Sequence, residues 1–319
     1  MKLELDSLLD NKNIIYEKDL SLSNKTWIKT GGICSCWITP VSVTQLAEVC
    51  RYLYLNHVAF DLVGQTSNVF FHSTYNPQVV VSTVKVNQYV VEGDTLTCDC
   101  GCNVTKLAKE MLAGGYAGFY GLVGLPGTVG SAAVNNAGCF SCSISSMLIN
   151  ADVLQPDGTV KTFTKEDFGY EKRSSAFKRG DVKGVLLSLK LKLEEAENIE
   201  DEIRKSEETK RYRMTRQEGP TKNLGSVYAH KVMRRNLKNM IASFIVKIAG
   251  AMGVSSPAKL KKRTLLSLYG YRDLDKYISD KTINTFVWKD EDSETAFKRY
   301  KEFMSRVHKS LELEIEEKL

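Results

Sequence analysis

The stretch GLPGTVGSAAVNNAG, Gly124 to Gly138, lies inside an uncharged run that extends from Met111 to Asn150. Such a run is unusual in a chain with 26% charged residues. Its glycines and Pro126 argue against a membrane helix, which needs about 20 mainly apolar residues in sequence. Glycine serves where the backbone turns tightly or approaches another group closely. The alternatives are a buried glycine-rich turn and a backbone wrapped around a cofactor, and the polar residues among the glycines favour the cofactor.

The whole chain has the composition of a soluble globular protein. Its 319 residues predict two or three domains, and its 43% hydrophobic content is ordinary. A net charge of +6 suits an anionic small molecule and does not by itself indicate a nucleic-acid partner. The N-terminus MKLELDSLLDNKN has acidic residues where a signal peptide would be apolar, so we predict a cytoplasmic protein.

The eight cysteines indicate buried thiols more than a metal site. Zinc sites usually combine matched CxxC units, often with histidine, and only Cys139 and Cys142 have that spacing. On a strand, Cys98, Cys100 and Cys102 would share one face. Small buried thiols in a reducing compartment are therefore predicted, with no metal.

Local patterns predict several elements. Ser42 and Gln45 form a capping-box pair before a helix, and a second helix runs from its cap Asn103 to Gly114. INADVLQPDGTVKTF predicts a hairpin that turns at residues 156–158. VLLSLKLKL alternates strictly and predicts a strand with one apolar side formed by Leu187, Leu189, Leu191 and Leu193.

The last third of the chain has a different composition. The densely charged segment from Glu194 to Arg216 predicts an exposed helix and a domain boundary. A final helix is predicted to begin near Asp292. Its predicted core face consists of Phe297, Tyr300, Met304 and Val307. The tail LELEIE predicts a strand whose core side is Leu311, Leu313 and Ile315 and whose other side is Glu312, Glu314 and Glu316.

Familiar nucleotide and metal motifs are missing from the sequence. It contains no GxGxxG, no GxxxxGK[ST] and no HExxH. A Rossmann dehydrogenase is therefore disfavoured, and any dinucleotide must be bound in another way.

The glycine-rich stretch resembles the flavin-binding segment of the UDP-N-acetylenolpyruvoylglucosamine reductases (MurB), roughly G-I-P-G-[ST]-V-G-x-A followed by N-x-G. Five further segments resemble landmarks of that family in the same order. They are KTGG (29–32), VGQTSNVFF (63–71), FGYEKRSSAFK (168–178), QEGPTKNLGSVY (217–228), and INTFVW (283–288) with the ending LELEIE. Six landmarks in order cover nearly the whole chain.

This resemblance implies an α+β fold, with a two-part FAD-binding region of the vanillyl-alcohol-oxidase/PCMH type and a smaller α/β substrate domain. The expected domains are residues 1–85 and 86–199 for FAD and 200–319 for substrate. The implied enzyme is an oxidoreductase acting on a CH–CH group, UDP-N-acetylmuramate dehydrogenase, in peptidoglycan precursor synthesis. It would use non-covalent FAD and NADPH to reduce the enolpyruvyl ether of UDP-N-acetylglucosamine. A UDP-sugar substrate is expected, with no nucleic-acid, membrane or obligatory protein partner.

Cofactor binding is assigned to the two turns GQTSN and PGTVG and to the asparagine and glycine that follow. Backbone N–H groups in such turns can form an anion nest for a pyrophosphate. The expected cofactor-binding residues are Gly64, Gln65, Thr66, Ser67, Asn68, Gly127, Thr128, Gly130, Asn136 and Gly138.

Three residues match the family's catalytic positions. Ser226 matches the proton donor, Arg173 the arginine near the substrate carboxylate, and Glu314 the C-terminal glutamate. Taken alone, each has a plainer interpretation: a turn serine after Gly225, a surface arginine, and a glutamate on a solvated strand face.

Some positions depart from the family pattern. Lys172 stands where the family has tyrosine, His230 replaces an asparagine, Ile283 a histidine and Thr66 a glycine. These departures keep two alternatives open, a paralogue acting on another sugar nucleotide and a flavin-binding protein without catalysis. The retention of Arg173 and the other two catalytic matches argues against the second. A basic nucleic-acid binder is weakly supported, because the lysine-rich segment lacks interleaved aromatic residues.

Overall fold

The computed structural model describes residues 2–219, 221–253 and 256–319. Within them, ten α-helices are formed: α1 (Lys2–Asn11), α2 (Val43–Leu55), α3 (Val104–Ala113), α4 (Val129–Val134), α5 (Ile144–Met147), α6 (Ala176–Arg179), α7 (Ile199–Arg216), α8 (Leu237–Ala251), α9 (Pro257–Tyr269) and α10 (Ser293–Val307). In this described part of the chain, no helix combines the length and the apolar character needed to cross a membrane.

The strands are short and belong to five sheets in the same described ranges. They are β1 (Ile15–Ser21), β2 (Ile33–Thr39), β3 (Asp61–Val63), β4 (Val69–Phe71), β5 (Val79–Ser82), β6 (Tyr89–Glu92), β7 (Thr95–Asp99), β8 (Gly138–Cys139), β9 (Cys142–Ser143), β10 (Leu148–Leu154), β11 (Val160–Thr164), β12 (Val185–Lys192), β13 (Tyr228–Met233), β14 (His308–Leu313) and β15 (Glu316–Lys318).

The chain divides into two compact units. The first consists of residues 1–24, 32–66 and 75–210, and the second of residues 25–31, 67–74 and 211–319. The two short segments join the second unit because Ile28 and Phe70 are fully buried in its core. The division into three linear domains stays a prediction.

The first unit contains the small β8–β9 hairpin and two larger sheets over one hydrophobic core. One sheet has the order β1-β2-β5-β3, in which β1 and β2 are antiparallel and β2, β5 and β3 are parallel. The other is antiparallel with the order β11-β10-β12-β7-β6. Leu189 lies opposite both Ala151 and Cys98, and all three side chains are buried. The predicted alternation of β12 is confirmed, since Leu187, Leu189, Leu191 and Leu193 are all buried.

Local signals predicted two helices of the first unit, α2 and α3, correctly. The Ser42 hydroxyl caps α2 by accepting the N–H of Gln45, and Asn103 caps α3 by accepting the N–H of Lys106. Gly114 ends α3 as predicted. The predicted hairpin is formed by β10 and β11. The charged segment forms α7, which begins at Ile199, five residues after the predicted start.

The second unit is built around α10. Phe297, Tyr300, Met304 and Val307 are fully buried, which confirms the predicted core face. Two short ladders flank this core: β13 with β14, antiparallel, and β15 with β4, parallel. The predicted alternation of the C-terminal tail is wrong in one respect, because Leu313 is 43% exposed. The chain leaves β14 after Leu313 and continues as β15 with a different partner, so one alternation cannot describe both strands.

Candidate functional site

Two of the predicted flavin-binding loops touch each other in the first unit. The N–H of Gly127 donates to Oε1 of Gln65 at 3.0 Å. A Cβ atom on Gly64 would lie 2.7 Å from the hydroxyl oxygen of Thr128, closer than side chains approach in folded proteins. Gly64 is therefore glycine because the second loop packs against its backbone. The loop after β3 and the loop before α4 form one uncharged surface.

The backbone of the second loop is already hydrogen-bonded, which corrects part of the anion-nest prediction. The N–H of Thr128 donates to the hydroxyl of Ser131 at 3.1 Å. Those of Val129 and Gly130 donate to the carbonyls of Cys102 and Cys100, both at 2.8 Å. With Gly127 bonded to Gln65, none of the four N–H groups is left for a pyrophosphate.

The first loop retains an available donor. In the described ranges, no protein acceptor takes the N–H of Gln65, and the loop carries no charged side chain. An anion nest needs such backbone donors without a competing carboxylate. The residues of this loop therefore fit a pyrophosphate-bearing cofactor better than those of the second.

Gly130 and Gly138 have structural reasons to be glycine. A Cβ atom on Gly130 would lie 2.9 Å from the carbonyl oxygen of Cys100, and one on Gly138 would lie 2.5 Å from that of Cys142. The first contact seats α4 against the end of β7, and the second closes the β8–β9 hairpin. Their assignment to cofactor binding stays a prediction, and the structure shows what each does for the fold.

Of the nine residues other than glycine that have positive φ angles in the described ranges, four lie in the sequence motifs. Lys29, Thr66, Asn136 and Arg173 have positive φ angles of 61°, 55°, 45° and 59°. Each lies in a different segment that resembles the reductase family. Such angles are uncommon for residues other than glycine, and a β-branched residue such as Thr66 adopts them rarely. Such strain is found at functional sites, but five residues outside the motifs carry it too, so it agrees with the motif assignments without distinguishing them from ordinary turns.

The loop that carries Arg173 is hydrogen-bonded to the flavin-binding segment. Glu171 and Ser174 exchange backbone hydrogen bonds of 3.1 Å across the loop, and Arg173 lies half-buried between them. The Asn136 amide donates to the carbonyl of Glu171 at 2.6 Å, while its oxygen accepts the hydroxyl of Ser145 at 2.6 Å. Both ends of the Asn136 side chain are thus engaged in fixing this loop. This role of Asn136 was not apparent from the sequence, where its spacing indicated only cofactor binding.

The rest of the FGYEKRSSAFK segment anchors the same loop. Ser175 is fully buried, donates to the carbonyl of Val134 at 2.6 Å and caps α6. Lys178 donates to the carbonyl of Arg173 at 3.1 Å. The hydroxyl of Tyr170 is buried without a hydrogen-bond partner in the described ranges, and burial raises its pKa. Tyr170 was given no role from the sequence, and its unpaired hydroxyl marks it as a further candidate.

Ser226 and Glu314 are brought together in the second unit. Ser226 is exposed and lies two residues before β13, and Glu314 directly follows β14. The N–H of Glu314 donates to the carbonyl of Val227, the neighbour of Ser226, at 2.9 Å. Two residues 88 positions apart therefore lie at the same end of one ladder. Glu314 is half-buried, so the interpretation as a solvated strand face does not describe it.

Two asparagines hold this end of the ladder. Asn284 exchanges side-chain hydrogen bonds with both the N–H and the carbonyl of Tyr228, at 3.2 and 2.9 Å, and its carbonyl accepts the N–H of Val227. Asn68 donates its amide to the carbonyl of Glu314 at 3.0 Å. Asn68 and its neighbour Ser67 thus belong to the second unit, although they continue the loop assigned to the flavin. Both asparagines lie in sequence motifs, but the motifs did not predict these hydrogen-bond partners.

The charges near Glu314 include one lysine that the sequence did not single out. Burial lowers the pKa of Lys231, and the charge of Glu314 partly opposes this effect. Of the positions that depart from the family pattern, Lys172 and His230 are exposed and Ile283 is half-buried. Pro220, within the QEGPTKNLGSVY segment, lies outside the described residues.

Six of the eight cysteines belong to the hydrophobic core of the first unit. All eight are free thiols, seven are buried and Cys139 is half-buried. Burial raises the pKa of Cys34 to about 11 and that of Cys102 to about 12. The described residues contain no cluster of side chains that could hold a metal ion. The prediction of small buried thiols is confirmed.

Comparison with known proteins adds a domain assignment and a set of relatives. Residues 34–164 match the family model described as a FAD binding domain. A UDP-N-acetylenolpyruvoylglucosamine reductase 2 of Bacillus cereus is 29% identical over 188 residues, 59% of this chain and 60% of that protein. The UDP-N-acetylenolpyruvoylglucosamine reductase of Trichormus variabilis is 28% identical over 247 residues, 77% of this chain and 72% of that protein.

A solved structure shares the fold along nearly the whole chain. The crystal structure of UDP-N-acetylenolpyruvylglucosamine reductase from Thermus caldophilus superposes with a TM-score of 0.64 at 19% identity, and covers 95% of this chain and 98% of its own. The α+β fold with a FAD-binding region is therefore confirmed. The alignment with the Bacillus cereus relative spans about three fifths of that protein's length.

Proposed function

Because the chain is a homologue of the UDP-N-acetylenolpyruvoylglucosamine reductases and carries a FAD binding domain, we propose that it reduces UDP-N-acetylglucosamine enolpyruvate to UDP-N-acetylmuramate with NADPH. The product is a precursor of peptidoglycan. The FAD is bound non-covalently, and the partner is a UDP-sugar. A cytoplasmic location is supported by eight free thiols, which suit a reducing compartment. We further propose that residues 1–85 and 86–199 bind FAD and that residues 200–319 bind the substrate.

One observation carries this proposal. The loop of Arg173 is hydrogen-bonded, through Asn136, to the segment that resembles the family's flavin-binding turn. The cation proposed for the substrate carboxylate is therefore held by the same segment that is proposed to hold the flavin. The anchored loop holds Arg173 half-buried, which favours a binding role over that of a surface arginine.

The reaction divides into tasks that the residues of this chain can perform. Bound FAD supplies the hydride-transfer chemistry between NADPH and the substrate. The first loop, with the N–H of Gln65, fits the pyrophosphate of that cofactor. Arg173 holds the substrate carboxylate with a planar guanidinium. Ser226 donates a proton to the carbon next to the one that receives hydride, and Glu314 is assigned to the enolate-like intermediate.

The two half-reactions of Ser226→Ala test the proposal. A proton donor to the substrate has no part in flavin reduction, so we expect NADPH to reduce the flavin of the variant at close to the native rate. Reoxidation by UDP-N-acetylglucosamine enolpyruvate should slow by about 10²-fold or more. Stopped-flow absorbance of the flavin follows both steps. Ser226→Cys should recover part of the second rate, because a thiol can also donate a proton.

A matched serine provides the control. Within the described residues, the Ser305 hydroxyl on α10 donates only to the carbonyl of Glu302, one turn earlier, so Ser305→Ala should leave both half-reactions unchanged. Equal slowing of the two steps in Ser226→Ala would make Ser226 a structural residue. A native protein that takes up FAD but whose reduced flavin is not reoxidised by this substrate would exclude the proposed reaction.

A further inference from the structure

Helix α8 of the second unit is apolar on its outer side as well as its inner side. Its inner side is fixed to the protein by buried Asn239, Ala242 and Ala249. The Asn239 amide donates to the carbonyls of Arg234 and Val307 at 2.8 and 2.9 Å. The outer side is a stripe at helical spacing, which we call the α8 stripe: Leu237, Met240, Ile241, Phe244, Ile245, Ile248 and, at the C-cap, Met252.

The α8 stripe is more exposed than an ordinary helix surface. Met240 and Phe244 are each 64% exposed, Leu237 is 71% exposed and Met252 is 78% exposed. A helix that is apolar all round is normally buried on all sides. Contiguous exposed apolar surface of this kind marks a site of association with a protein or a membrane.

The charge around the α8 stripe has one sign. Residues 219–272 contain eleven lysines and arginines and no aspartate or glutamate, whereas the rest of the chain has 33 basic residues against 38 acidic ones. Lys238, Lys247 and Lys261 form no ion pair in the described ranges. Other cations of the segment are neutralised by carboxylates that follow it in sequence, such as Lys262 by Asp275 and Asp280. Positive charge that no carboxylate neutralises thus flanks an apolar stripe, with the Lys238 ammonium lying over the ring of Tyr269.

A cationic groove opens at the start of α8. It has a volume of about 590 Å³, and its lining includes Arg234, Lys238 and Arg306 but no carboxylate. The first-turn N–H groups of a helix add positive partial charge at such a place. A phosphate group would be matched by this lining, and the apolar stripe begins at Leu237, which lines the same groove.

We infer that the α8 stripe docks in the plane of an anionic phospholipid bilayer, with lipid phosphates bound by the flanking cations and the groove. This departs from the sequence expectation of no membrane partner and is independent of the proposed reaction. A second copy of the chain fits less well, because two such segments would bring like charges together without a carboxylate to offset them. A nucleic acid would leave the apolar stripe unmatched. An apolar face flanked by basic residues is the pattern of helices that lie in a membrane interface.

Flotation with lipid vesicles tests this inference on the full-length protein. We expect the protein to float with vesicles that contain about one third phosphatidylglycerol and not with pure phosphatidylcholine vesicles. Raising the salt from about 0.1 M to about 1 M should release most of the bound protein, since exposed charges are screened. The double variant Met240→Gln/Phe244→Gln should bind anionic vesicles at least roughly tenfold more weakly.

A second double variant replaces two apolar side chains of comparable fractional exposure elsewhere. Leu55 and Met214 are 56% and 67% exposed, so Leu55→Gln/Met214→Gln should bind vesicles like the native protein. Circular dichroism and melting temperature establish that both double variants fold. In Phe244→Trp, tryptophan emission should shift to shorter wavelength when anionic vesicles are added.

Three results would overturn the inference. The first is that the native protein stays at the bottom of the gradient while anionic vesicles float. The second is that the Met240→Gln/Phe244→Gln variant floats as well as the matched control. The third is a concentration-dependent dimer, found by light scattering, that Met240→Gln/Phe244→Gln abolishes, in which case a second copy covers the stripe. None of these results depends on whether the protein reduces a UDP-sugar.

Discussion

Arg173 is the residue whose surroundings most clearly separate a functional role from a surface role. Its loop is anchored by Asn136 and Lys178, and its backbone is held at a positive φ angle. A guanidinium binds a carboxylate in two places, and an ammonium cannot. We therefore expect Arg173→Lys to lower steady-state turnover by an order of magnitude or more with flavin content unchanged. Arg179→Lys, a matched change on α6, should keep turnover near the native rate, and native turnover in Arg173→Lys would move the carboxylate site elsewhere.

Thr66 is a second residue whose backbone conformation can be tested by substitution. The family has glycine here, and the φ angle of 55° suits glycine, while threonine carries strain of about 1–2 kcal/mol. We expect Thr66→Gly to leave the free energy of unfolding unchanged or to raise it by up to about 1 kcal/mol, as measured by urea denaturation. Thr128 is equally buried at a φ angle of −100° and caps α4. Thr128→Gly should therefore destabilise the protein by about 1 kcal/mol, of which the lost cap contributes a few tenths and the lost buried side chain the rest, and an equal loss in Thr66→Gly would contradict the strain argument.

At the scale of elements, the junction of α10 and β14 contains a titratable group. His308 is buried there, and Nδ1 lies 3.2 Å from the carbonyl of Met304. Burial is the main cause that lowers the pKa of His308, and Lys231 and Lys261 lower it further. The folded protein thus resists a proton that the unfolded chain accepts. The stability contributed by neutral His308 is complete above the unfolded-state pKa of about 6.5 and is lost as the pH falls below it.

Two histidine-to-asparagine substitutions test this direction of the pH dependence of stability. We expect the free energy of unfolding of the native protein to fall between about pH 7.5 and pH 5.5, and to fall less steeply in His308→Asn. His57→Asn, at an exposed histidine after α2, should keep the native slope. A native slope in His308→Asn would show that other groups cause the pH dependence.

For the whole molecule, the main prediction is a yellow protein with FAD bound non-covalently. The contacting loops Gly64–Thr66 and Gly127–Thr128 offer an uncharged surface with an available N–H, and no histidine lies in either loop. Acid or heat denaturation should release all of the flavin into the supernatant, where its absorbance is measured. Cys139→Ser should release it equally, as expected when no cysteine attaches the flavin. A colourless protein that also fails to take up added FAD would contradict the assignment.

The structural features that depend on residues close together in the sequence could be predicted from the sequence. The bounds of α3 followed from Asn103 and Gly114, because a helix cap is a hydrogen bond between residues three or four positions apart. The alternation of β12 and the core face of α10 followed from the periods of the two backbone geometries. The six motif segments, and with them the FAD-binding fold and the candidate residues, were also readable, since each motif occupies consecutive positions.

Only the tertiary structure decided which polar groups meet. Two N–H groups of the PGTVG turn donate to the carbonyls of Cys100 and Cys102 and the other two to the side chains of Gln65 and Ser131, instead of forming an anion nest. Asn136 fixes the Arg173 loop 37 positions away. Ser226 and Glu314 come together because β13 pairs with β14. A buried polar group must find a partner, but its residue type does not specify which one. That choice depends on how distant elements pack, so the sequence could name the candidate residues of the site and only the folded chain could arrange them.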